Sequence, residues 1–176
     1  MRLTQLALAL AVATGTWGFC HEVRAEGPKL RVGTFDSRAV AVAYAGSEGF
    51  GRTIQRLREE LKEAKGVGDE EKAKKLEKEG EALQERLHQQ GFSTASVANL
   101  LAQIKDQIPG IAREAGVDVI VSKWDIAYQS PSAELVDITE LLIKPFHPNE
   151  KAMKSIKMLE KHAPVPLEEL KNHKCR

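Results

Sequence analysis

Val117, Val119 and Val121 alternate with Asp118, Ile120 and Ser122 at the start of residues 116–139, GVDVIVSKWDIAYQSPSAELVDIT. No other stretch constrains the fold as strongly. Successive side chains on a strand point to opposite faces, so one face here is wholly apolar. Ile120 makes the second face partly apolar, which suits a strand covered on both sides. Ile126 and Tyr128 share one face of a second short strand. Gln129, Ser130, Pro131 and Ser132 form a turn, because proline cannot continue a central strand. Leu135 and Val136 return extended, and Asp137 with Glu140 three residues on marks a helix start. The segment reads as a small β-meander closing a core, with Val117, Val119, Val121, Ile126, Tyr128, Leu135 and Ile138 as its apolar set.

The chain before this run is one strand followed by helix. Residues 29–35, KLRVGTF, alternate as a first strand. Asp36 or Ser37 can cap a helix starting directly after it. Residues 37–44 are rich in Ala and Val and suit either a short buried helix or extended chain. Residues 46–51, GSEGFG, have the order G-x-x-G-x-G and no following Gly-Lys-Ser/Thr, so they are a flexible hinge and not a phosphate loop. Ile54, Leu57, Leu61 and Ala64 then recur at a/d spacing, and Ala73, Leu76, Leu83 and Leu87 continue a similar seam. Gly66-Val67-Gly68 breaks the first helix, and Asp69 can cap the second. Gly91-Phe92-Ser93-Thr94 is a second break. From Arg52 to His88 there are ten basic and ten acidic residues, as expected of thin, solvated helices. Residues 96–115 carry a wider apolar stripe, which Pro109 should kink near Lys105 and Gly116 should end.

Composition excludes several functions. Residues 1–25 read as a secretory signal: Arg2 is the basic start, 6–12 the apolar run, and Val23 and Ala25 are the residues read by the peptidase just before a cut after Ala25. Removing them takes away Arg2, Arg24 and Glu22 and brings the formal charge from +1 to zero. A neutral chain argues against non-specific nucleic-acid binding, which needs a positive field. Cys20 also leaves, so Cys175 has no partner for an intramolecular disulfide. His88, His147, His162 and His173 lie at no metal-ligand spacing, and His173 with Cys175 is too little for a site. Asp36, just after the first strand, is the carboxylate best placed for catalysis, but helix capping explains it more simply. Trp124 and Tyr128 read as structural. No catalytic, cofactor-binding or metal-binding residue is assigned.

The order of these signals resembles the Skp/OmpH family of periplasmic chaperones. In that family a strand of the type DLVVD is followed by an AY strand, a polar turn and a DIT that opens the last helix. The counterparts are Asp118-Val119-Ile120-Val121, Ala127-Tyr128, Ser130-Pro131-Ser132 and Asp137-Ile138-Thr139. The strand at 29–35 matches the one at the family's mature N-terminus. The resemblance covers about 29–142. It implies a homo-oligomer, most simply a trimer, joined through β-rich bodies, with helical hairpin arms enclosing unfolded outer-membrane proteins without ATP. This chain departs from it in having a shorter helical region, broken twice, and a balanced arm charge.

The expected architecture is therefore α+β: a signal at 1–25, a body and arm domain at 26–144 and a helical tail at 145–176. Body strands fall near 29–35 and 117–138, and an antiparallel coiled-coil hairpin at about 48–115. The oligomerisation set is Val117, Val119, Val121, Ile126, Tyr128, Leu135 and Ile138; no residue is assigned to client binding. The expected role is a periplasmic holdase for unfolded envelope or outer-membrane proteins, with no cofactor, no nucleic acid and no membrane insertion after processing. The alternative is a structural or adaptor coiled-coil protein of the envelope with one fixed protein partner. N-terminal sequencing of protein recovered from the cell envelope should begin at Glu26; finding Met1 there would refute cleavage.

Overall fold

The computed structural model describes residues 29–172, with side chains through 170, so the signal reading of 1–25 and the readings of His173 and Cys175 lie outside the described residues. Three short strands form one sheet: β1 (Arg31–Phe35), β2 (Val119–Ser122) and β3 (Glu134–Asp137). The order is β2-β1-β3 and both pairings are parallel, which corrects the expected meander. Val32 lies between Val119 and Leu135, Gly33 between Ile120 and Val136, and Thr34 between Val121 and Asp137. The expected strand at Ile126–Tyr128 does not form; those residues belong to the irregular connection 123–133. Parallel pairing explains this. The chain leaves β2 at its carboxyl edge and has to return past β1 to the amino edge of β3, so these residues are spent on the crossing.

Helices cover one face of the sheet. Phe35, Ile120, Val136 and Ile138 point into a core shared with α1 (Ser37–Ala45), α4 (Ala98–Leu101), α5 (Ile108–Ala115), α6 (Thr139–Ile143) and α7 (Glu150–Leu159). Gly33 permits this cover, because a Cβ there would come within 3.0 Å of Val117 Cγ2 and of Ile138 Cδ1. The stripe expected as one kinked helix at 96–115 is instead α4, a 3₁₀ turn at Ala102–Ile104 and then α5, with Pro109 in the first turn of α5. Proline loses nothing there, since the first-turn N–H groups have no helical partner. Leu100, Ile104 and Ile111 are buried in the core, so this stretch belongs to the body and not to the arm. Gly116 ends α5 in the left-handed conformation at φ 63°, as its sequence position predicts.

Between α1 and α4 the chain passes through α2 (Glu48–Gly66) and α3 (Glu70–Phe92). Residues 67–69 are the turn between them, so the first glycine-rich break separates the two helices and the second lies where α3 rejoins the body. Asp69 caps α3 by accepting from Lys72 N at 2.9 Å. Leu57, Ala64, Ala73 and Leu76 form the buried seam between α2 and α3, and Lys65–Glu77 at 2.8 Å and Arg56–Glu79 at 3.8 Å bridge the two helices.

The expected hinge at 46–51 is not a hinge. Gly46 ends α1, Ser47 caps α2 through Phe50 N, and Gly49 and Gly51 lie inside α2. The chain after 145, expected as a helical tail, packs on the body. Ala152 and Ile156 of α7 are buried against α1, and Asn149 N donates to Gly46 O at 3.1 Å. A further short helix, α8 (Leu167–Asn172), follows. A Cβ on Gly46 would overlap Ala152 Cβ, so Gly46→Ala should force α7 away at a cost of about 1–3 kcal/mol. Gly80 lies in mid-α3 with open space at its Cβ, and Gly80→Ala should gain about 0.5–1 kcal/mol from helix propensity alone. Urea unfolding of both variants measures this pair; equal effects would contradict the described α1–α7 contact.

Candidate functional site

The carboxyl ends of the three strands converge on Asp36, the residue after β1. In open α/β sheets this edge commonly binds ligands. Here the edge is filled by the protein's own groups. Asp36 Oδ1 accepts from Arg38 N at 3.0 Å, Arg38 Nε at 3.1 Å and Trp124 Nε1 at 3.1 Å. Its Oδ2 accepts from Arg38 Nη2 at 2.8 Å and Lys123 Nζ at 2.9 Å. Its own N–H donates to Thr139 Oγ1 at 3.0 Å. Burial raises a carboxyl pKa, but the hydrogen bonds from Arg38, Lys123 and Trp124 and the Arg38 charge outweigh that and hold Asp36 at about 2. A buried carboxylate with five donors on it has no lone pair left to take a substrate proton. Asp36 caps α1 and ties the edge together.

Arg38 is the residue that sequence reasoning missed. It is 1% exposed. Beyond Asp36 it donates to Leu159 O at 3.1 Å and His162 O at 2.9 Å, at the carboxyl end of α7, where a cation is favoured. Trp124 lies beneath both cations, with Arg38 Cζ 4.9 Å and Lys123 Nζ 4.6 Å from its ring centroid. The available signal was a single charge inside an apolar helical stretch, which calls for a buried partner.

The second feature is the sheet face turned away from the helices. Val32, Val119 and Leu135 form one row across it, and Thr34, Val121 and Asp137 the next. None of Val32, Val119, Val121 and Leu135 joins the core; Val119 is 48% and Leu135 38% exposed. The seven residues expected to form one oligomerisation set are thus divided. Val117 and Ile138 are buried on the covered side. Val119, Val121 and Leu135 share the other face. Ile126 and Tyr128 lie in the 123–133 connection, and Tyr128 is 80% exposed.

The third feature is a cleft of about 1090 Å³ where α2 and α3 join the body. Ile54 and Leu61 line it from α2, Leu87 and Phe92 from α3, Val42 from α1 and Met158 from α7. Sequence reasoning missed it because the cleft forms only where α1, α2 and α3 meet α7, some sixty residues further along the chain.

Among the described residues no cluster of His, Cys, Asp and Glu could hold a metal ion, and no helix is long and apolar enough to cross a membrane. No family model, curated protein or solved structure matches the chain.

The Asp36 cluster makes a pH prediction. Its carboxyl titrates at about 2 in the fold against 3.8 for an ordinary aspartate. A depressed folded-state pKa gives stability that is complete above the unfolded value and is lost as pH falls through the folded one. Stability should therefore drop by about 2 kcal/mol from this group alone between pH 4 and pH 2. Asp36→Asn should remove that dependence and cost about 3–5 kcal/mol at pH 7, since it leaves Arg38 buried without its counter-ion. Urea titrations by circular dichroism at pH 2–7 test this; an unchanged acid limb in the variant would assign it to other carboxylates.

Proposed function

We propose that this protein is an ATP-independent holdase of the cell envelope, exported to the periplasm, that keeps unfolded envelope or outer-membrane proteins soluble. It works as a homo-oligomer, a trimer in the family that its sequence resembles. The bodies associate through the sheet face of Val32, Val119, Val121 and Leu135, and α2 with α3 is the arm, an antiparallel coiled-coil hairpin projecting from that hub.

The observation that carries this reading is the uncovered sheet face. Parallel sheets are normally buried on both faces. A face with half-exposed Val119 and Leu135 on a three-stranded parallel sheet favours a protein partner, and another copy of the same body supplies the same apolar row. The arm adds a second support. Its seam of Leu57, Ala64, Ala73 and Leu76 is narrow, and its interhelical charges pair with each other, so it stands in solvent without needing the body along its length.

The test separates the two faces of the sheet. Val119→Asp places a carboxylate within the proposed interface but in a half-exposed position of the single chain. It should convert the oligomer to a folded monomer by light scattering and abolish suppression of aggregation of a denatured outer-membrane protein. Ile138→Asp, in the core, should unfold the chain outright. A monomeric wild type would refute the assembly. An oligomeric wild type that protects no unfolded client would leave an envelope adaptor with one fixed partner as the better reading.

A further inference from the structure

The cleft at the base of the helical pair has no role in that reading, and it belongs to a single copy of the chain. Its α2 wall runs from Phe50 to Leu61, about 16 Å or three helical turns. Phe50, Ile54, Leu57 and Leu61 recur along that wall at spacings of four, three and four, one apolar stripe of an α-helix. On the α3 wall Gly80 leaves a gap, with no atom within 4 Å of where its Cβ would lie. At the body end Phe92 and Met158 stand 50% and 63% exposed. The volume of about 1090 Å³ is at or beyond the upper end for small-molecule pockets, which run to about 1,000 Å³, and the shape is a trough between helices.

Charge at the rim decides what fits. Glu77 is held by Lys65 at 2.8 Å. Arg58 on the α2 wall and Glu81 on the α3 wall both line the cleft, and neither makes an ion pair with another of the described residues. A rim with a cation on one side and an anion on the other offers no net attraction to an anionic amphiphile such as a fatty acid. It matches an amphipathic helix, apolar stripe inward, with acidic side chains along the edge that faces α2 and basic ones along the edge that faces α3.

We propose that this cleft is a docking site for one amphipathic helix of another protein, about three turns long and edged with opposite charges. The helix lies between α2 and α3, turns the pair into a local three-helix bundle and covers Phe92 and Met158. The inference is independent of the holdase reading, since it requires neither an oligomer nor an unfolded client.

The probe is a fluorescein-labelled synthetic peptide of about four helical turns, with leucine at helical spacing, glutamate along one edge of the stripe and lysine along the other. Fluorescence anisotropy should report saturable binding to the wild-type protein, and circular dichroism a gain in helix. Gly80→Leu fills the gap while improving helix propensity, and should weaken binding roughly tenfold or more with no loss of melting temperature. Arg58→Glu, at an exposed position, makes both rims acidic; it should weaken the mixed-edge peptide roughly fivefold and favour a peptide with lysine on both edges by a similar factor. Failure of the wild type to bind, or binding that neither variant alters, would overturn the proposal. So would equal binding of a version with prolines through its centre, which would make the occupant an extended segment. Aggregation suppression that survives Gly80→Leu would leave the holdase reading intact, and loss of aggregation suppression in the wild type would leave the docking site intact.

Discussion

Five separate parts of the chain meet at one buried ion pair, that of Asp36 with Arg38. Asp36 ends β1 and caps α1. Lys123 and Trp124 bring in the carboxyl end of β2, Thr139 the start of α6 after β3, and the Arg38 guanidinium the last carbonyls of α7. Taking both charges out of water is costly, and the Coulombic return repays it only when the remaining donors and acceptors are also used. Here almost all are. Such a network adds little net stability over an apolar core of the same shape. What it imposes is arrangement: a strand order or an α7 position that left Asp36 or Arg38 unpaired would carry a penalty of several kcal/mol.

The helical pair inherits its orientation from that arrangement. α7 is fixed at its carboxyl end by Arg38 and along its length by Ala152 and Ile156, and the absence of a Cβ at Gly46 lets it lie directly on the end of α1. Ser47 starts α2 one residue after Gly46, with Tyr44 against both Phe50 and Phe146, so α2 leaves the body from a packed corner. α3 returns to the same corner: Gln90 is buried there, donating to Ser96 O and Asn99 Oδ1 at 2.7 Å. A pair of helices rooted at both ends in packed residues is a rigid lever and not a tethered one. Any change in its direction has to come from bending along α2 and α3, where the seam is thin.

The parts of this fold that were legible in the sequence are those set by neighbours in the chain. Asp36, Asp69 and Gly116 act within a few residues of themselves, and each sits where its capping chemistry predicts. The alternation at 29–35 and 117–122 gave the strands for the same reason. Parallel order was not legible, because Val32 pairs with Val119 and Leu135 across long sequence separations, and alternation is identical for either direction of pairing. Ile126 and Tyr128 show how that error spreads: assuming a meander turns a crossover into a strand. The glycines at 46–51 misled in another way. Glycine serves close approach as readily as flexibility, and only the position of Ala152, more than a hundred residues on, decides between them. The division of the seven apolar body residues between two faces follows from the same point, since Val117 and Val119 have equal claims on burial until the helices choose a side.

Among the described residues two apolar surfaces stand open, and they share no residue. The sheet row of Val32, Val119 and Leu135 lies on the body, while the cleft is walled by α1, α2, α3 and α7 and includes no strand residue. Their polar surroundings also differ. The sheet row is followed by Thr34 and Asp137, whereas the cleft is edged by Arg58 and Glu81. An apolar row with little charge around it discriminates poorly between partners and suits a constant one, which another copy of the same chain always is. A trough with opposite charges on its two rims can reject helices of the wrong edge pattern, and so suits a partner that has to be chosen. Filling the first leaves the second open, so assembly and recognition can be carried by one small fold without competing for the same residues.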